Sequence, residues 1–131
     1  MGIRFKQGMV AVALAVVGVL ALGSPAQAAH DGHCGGGEAC LYYSGAFSGG
    51  LADFGGDIAN YTNYSFFHCS ASNCGLNDNA ASIRNLSSFI TVDFCVDSWF
   101  RGGEVGLDPL TTMNGSQLGG WRNRFSSHYW I

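Results

Sequence analysis

Apolar residues along this chain fall into two regimes. Over residues 9–22 they form an unbroken run of 14. Beyond residue 34 they come in short clumps, rich in β-branched and aromatic side chains and cut by Gly-Gly, Asn-Gly and Ser/Asn clusters. No stretch there carries the i, i+3, i+4 spacing of an amphipathic helix. The clumps at 40–43, 64–69, 89–96 and 128–131 predict strands, with "SSFITVDFCV" (87–96) giving the clearest partial alternation. The polar clusters between them predict turns. The pattern predicts an all-β fold.

The first regime reads as a leader. Arg4 and Lys6 supply a positive start, the apolar run follows, and Ala26-Gln27-Ala28 makes a small-x-small cleavage site. A run of 14 is too short for a permanent bilayer-spanning helix. Residues 1–28 are therefore expected to be a secretory signal peptide. Cleavage would leave residues 29–131 as a single domain, secreted and free of the membrane.

Charge then narrows the partners. Residues 29–131 hold four arginines, no lysine and nine acids, a formal net charge of −5. A nucleic-acid binder needs the opposite sign. Lysine-based catalysis is excluded outright. Five cysteines in an exported chain of this size predict disulfides rather than a zinc site, since CxxC spacing is absent. Local spacing pairs Cys34 with Cys40 and Cys69 with Cys74, leaving Cys95; Cys95 with Cys69 or Cys74 is the open alternative.

An internal repeat organises the rest. Tyr42, Phe47, Gly49 and Gly50 return as Cys95, Phe100, Gly102 and Gly103, each 53 positions on. Asp78, Ser82 and Ile83 return as Asn123, Ser127 and His128, 45 positions on. The offset falls by eight, the length of "HCSASNCG" (68–75), so this cysteine-tied loop reads as an insertion in the first copy.

The repeat unit, aromatic-x4-Phe-x-Gly followed by Asn/Asp-Asn/Asp-x-x-Ser/Thr-Ser, resembles the βγ-crystallin Greek-key motif. Two such motifs imply a two-sheet sandwich. Residues 31–131, with "DGHCGGGEACLYYSGAFSGG" and "NDNAASIRN", resemble peptidase inhibitor family I36, the Streptomyces metalloproteinase-inhibitor type. That resemblance implies a secreted inhibitor of extracellular peptidases that fills a cleft with a rigid loop. Its bait loop is disulfide-closed, and Cys69, Ser70, Ala71, Ser72, Asn73 and Cys74 form the nearest equivalent here. The alternative is a non-inhibitory crystallin-like module. In crystallin-type motifs the Asn/Asp elements hold calcium, which makes Asn77, Asp78, Ser82, Asn123, Ser126 and Ser127 the weak candidates. Ala81 and Arg122 depart from that pattern, and calcium wants six to eight oxygen ligands. Turn-capping by these side chains is the expected role, with no cofactor.

Nothing in the sequence assembles catalytic machinery. His30 and His33 are expected in a mobile, solvent-exposed tail. Asp53, Asp57, Asp93 and Asp97 are expected on a solvated surface. The chain is expected to be a monomer and not an enzyme.

Overall fold

Seven short strands, one α-helical turn and two 3-10 turns (Tyr61–Asn63 and Gly119–Trp121) make up the computed structural model, which describes residues 30–131. The leader assigned to 1–28 and its cleavage site lie outside the described residues. Strand β1 (Ala39–Tyr42) is buried at every position, which explains why its sequence shows no alternation. Ala39 and Leu41 face the core. On the other face Cys40 is tied to Cys34, and the Phe47 ring meets Tyr42 edge-on at 5.7 Å.

Strand β2 (Leu51–Phe54) pairs antiparallel with one side of β1, and β3 (Ser82–Asn85) with the other. Strand β4 (Val92–Asp97) is flanked by β5 (Arg101–Leu107) and β7 (Ser127–Trp130), again antiparallel. The remaining strand, β6 (Thr112–Met113), leaves its own half and pairs with β3. The sheets thus run β2-β1-β3-β6 and β5-β4-β7. Ile58, at the corresponding place in the first half, reciprocates by bridging to His128 of β7. Each half lends its third segment to the other half's sheet, and the domain is two interlocked Greek keys. A single helical turn, α1 (Gly115–Leu118), follows β6 and is closed by reciprocal Asn114 and Gln117 side-chain bonds.

Between the sheets lie Leu41, Phe54, Tyr61, Ile83, Phe94 and Phe125, all buried. Burying each such side chain contributes roughly 1.5–3 kcal/mol. Buried Asn85 seals the passage between the halves. Its Nδ2 donates to the carbonyls of Ile90 and Leu107, and its Oδ1 accepts from the Ser87 amide. That leaves none of its polar groups unpaired.

The sequence places strands partly wrongly. The stretch 89–91 leads into β4 as a loop, with Phe89 90% exposed. The stretch 64–69 contributes only isolated bridges. The strands β2, β3, β5 and β6 and the turn α1 carry no signal strong enough to single them out.

Candidate functional site

The repeat is a backbone device. Phe47 and Phe100 both hold positive φ, 58° and 62°, as do Asp78 and Asn123 at 61° and 60°. Such values are uncommon for residues other than glycine and need fixing by their surroundings. The fixing is the same in both copies. Ser82 Oγ accepts from the Phe47 amide at 3.1 Å and donates to the Ser44 carbonyl at 2.6 Å. Ser127 Oγ does so for Phe100 and Asp97 at the same distances, 3.1 and 2.6 Å. Across the pseudo-twofold, the Asp78 amide donates to Phe125 and the Asn123 amide to Ala80.

The eight-residue difference sits where the offset places it. Residues 64–76 form a hairpin: the Leu76 amide donates to Tyr64, and the Phe66 amide to the Cys74 carbonyl. One limb adds to the free edge of β2, since Leu51 and Phe67 exchange two backbone bonds of 3.0 and 2.8 Å. The tip is closed by Cys69–Cys74, with Cα atoms 6.0 Å apart. Gly50 lets this tip sit on the β1–β2 corner. A Cβ there would stand 2.9 Å from the Cys69 Cβ, and its φ of 137° suits glycine alone. Ser70, Ser72 and Asn73 are exposed. Among the described residues, the amides of Ser70, Ala71, Ser72 and Asn73 donate no backbone hydrogen bond. The result is a short loop with both ends fixed and its middle unpaired.

Cys34 also pairs with Cys40, and Cys95 stands alone and buried. Burial pushes the Cys95 thiol up to about 11. With no aromatic at this position, Phe100 turns instead to Tyr129, edge-on at 5.7 Å.

Of the Asn/Asp elements, Asp78 accepts from Ser126 Oγ at 3.3 Å, across the two halves. Asn77 Nδ2 donates to the same carboxylate at 3.2 Å. Ser82 and Ser127 are committed to the backbone bonds above. One carboxylate, one serine and one amide fall well short of a calcium shell. Among the described residues no group of three or more His, Cys, Asp or Glu is placed to hold a metal.

Two expectations about acids and histidines are corrected. Asp53 is fully buried, not solvated. Its carboxylate accepts from the Asp31 and Gly32 amides at 3.1 and 2.8 Å. Burial pushes its pKa up, partly offset by those bonds. His30 is not in a free tail: its ring stacks on Phe54 at 4.8 Å and its Nδ1 lies 3.2 Å from the Asp53 carbonyl. His33 and Asp57 are exposed, as expected. Sequence reasoning also missed the role of His128, which is fully buried. Its Nε2 lies 2.8 Å from the Gly56 carbonyl and must donate, so Nδ1, 2.6 Å from Tyr61 Oη, accepts. Desolvation holds it neutral, with a pKa lowered to about 4.

No protein-family model matches the chain, and no curated protein matches it. Solved structures do. A domain described under the evolution of the eye-lens βγ-crystallin domain fold superposes with TM-score 0.63 at 19% identity, over 76% of this chain and 90% of that one. A βγ-crystallin from Ciona intestinalis gives 0.58 at 21%, covering 72% of this chain and all of the other, 100%. An archaeal βγ-crystallin gives 0.54 at 22%, covering 74% and 100%. At such identities the likeness speaks for the fold alone: this is a βγ-crystallin-type Greek-key sandwich.

Proposed function

We propose that this domain is an exported inhibitor of extracellular peptidases, metallopeptidases among them, and that the loop from Cys69 to Cys74 enters the cleft. One observation carries the reading: a disulfide-closed tip with unpaired backbone, mounted on a hairpin that is hydrogen-bonded into the sheet. A peptidase binds its substrate as an added strand, which calls for free amides and carbonyls. Fixing the ends beforehand lowers the ordering cost of binding. The small side chains of Ser70 and Ala71 suit a narrow cleft. No catalytic role is assigned to the domain, which acts as a monomer and engages no nucleic acid.

The test is a panel of secreted metallo- and serine peptidases assayed with the purified protein. Shortening the segment 70–73 should weaken inhibition at least tenfold while the melting temperature changes little. Inhibition unaffected by the shortening would move the contact elsewhere. If nothing in the panel is inhibited, the second reading takes over: a non-inhibitory crystallin-like module, favoured by the crystallin likeness of the whole sandwich.

Calcium is not proposed as a cofactor, because the donor set around Asp78 is short. Calorimetric titration at physiological ionic strength should give weak or no binding. Ala81→Ser with Arg122→Asn should raise calcium affinity; tight binding by the natural sequence would overturn this assignment.

A further inference from the structure

The two Asn/Asp elements face each other across the pseudo-twofold and differ in one direction. At one, the repeat places Asn77, Asp78 and Ser126, with Asp78 bonded to Ser126. The counterparts at the other are Arg122, Asn123 and Ala81. Asparagine has become arginine, aspartate has become asparagine, and serine has become alanine. Every change removes an oxygen or negative charge, or adds a positive one. A cation-leaning arrangement has become one that favours an anion.

The surroundings of Arg122 are built for this. Two adjoining clefts of about 460 and 320 Å³ share Ser44, Gly45 and Arg122. Asn114 and Ser116 add polar side chains to one, beside Ala46 and Phe47, and Asn79 and Asn123 to the other, beside Tyr43 and Ala81. No carboxylate lines either, although the acids of residues 29–131 outnumber the arginines nine to four. The guanidinium lies against backbone. A Cβ on Gly115 would stand 3.0 Å from Arg122 Cζ and Nη1, and one on Gly45 would stand 3.2 Å from Nη2. The Gly115 amide also donates to the Gly45 carbonyl at 2.9 Å, so this floor is a fixed one. Two glycines thus form a flat seat that orients the guanidinium fork.

The geometry points to an oxyanion-binding site in the clefts around Arg122, taking a carboxylate or phosphate group of a small polar ligand. The fork supplies paired N–H donors and the charge. The Ser116 hydroxyl and the Asn114 Nδ2 offer neutral hydrogen-bonding groups to the rest of the ligand. The site is separate from the Cys69–Cys74 loop and does not rest on the peptidase reading.

The test is an NMR titration of the isotope-labelled protein at pH 7 and constant ionic strength, with acetate, inorganic phosphate or chloride added. Saturable millimolar shifts are expected at the Gly45, Gly115 and Ser116 amides and at Arg122 Nε–H. Saturation by acetate at the lower concentration identifies a carboxylate ligand; saturation by phosphate at the lower concentration identifies a phosphoryl one. Arg122→Gln should weaken the better anion at least tenfold. Arg122→Lys, which keeps the charge but not the fork, should lie between and serves as the second variant if the first misfolds. The proposal is overturned by shifts that do not saturate, by an equal response to chloride, or by an Arg122→Gln variant that titrates like the parent.

Discussion

The first and second halves of the sandwich share a backbone and disagree about what fills it. In the first, Phe47 folds over Tyr42 and Arg84 lies 4.7 Å above the Phe47 ring. In the second, Cys95 takes the tyrosine's place, Phe100 turns to Tyr129, and Trp99 joins it at positive φ, 61°. Where the first half buries Ile83, the second buries His128. The serine bonds and the positive-φ corner survive all of these exchanges. The folded corner therefore depends on Ser82 and Ser127 more than on the aromatic pair beneath it.

The largest expected asymmetry is in acid. His128 is neutral in the fold and has a folded pKa of about 4, against 6.5 when unfolded. The unfolded chain binds more protons between those values, so stability falls as pH drops from about 6.5 to 4, by about 3 kcal/mol. Asp53 acts in the opposite sense, because its raised folded pKa makes the protein more stable as pH falls. The difference between the parent and His128→Gln isolates the histidine: chemical denaturation at pH 7 and pH 4.5 should show a smaller acid loss in the variant. The matching position, Ile83, contributes no such slope, and equal acid losses would remove the contrast.

Next in size are the two serines. Each of Ser82→Ala and Ser127→Ala should cost about 2 kcal/mol, since each leaves an amide and a carbonyl without their partner. Equal costs by thermal melts would support a shared corner; a loss confined to Ser82 would return the credit to the aromatic cluster of the first half. The smallest effect concerns Cys95. With its thiol buried and raised to about 11, it should resist alkylation at pH 7 until denaturant is added, whereas an exposed thiol reacts at once. Mass spectrometry of iodoacetamide-treated native protein reads this directly.

The two halves were legible to different degrees, for physical reasons. The offsets of 53 and 45 exposed the duplication and located the inserted loop, because side chains at forced backbone positions recur. The strand β3 stayed hidden because it buries Ser82 and Asn85, polar residues whose partners come from distant segments. Asp53 misled for the same reason: its amide donors, Asp31 and Gly32, lie 22 and 21 residues away. The strand β6 and the turn α1 have only two and four residues, too few for any period to register. Of the two proposed sites, the Cys69–Cys74 loop could be read from spacing. The seat beneath Arg122 could not, because it joins Gly45 and Gly115 across the interlock.

That interlock sets the order in which the chain can become a protein. Until residues 112–113 arrive, the outer edge of β3 has no neighbour, and until 127–130 arrive, neither β4 nor Ile58 has its final partner. Exposed edges of this kind invite pairing with other chains. The pairings of β3 with β6, β4 with β7 and Ile58 with His128 join residues far apart in sequence, and non-local pairing of this kind folds on the millisecond-to-second scale. A chain threaded end-first through a narrow channel would therefore keep the outer edges of β3 and β4 open until its last strands are free.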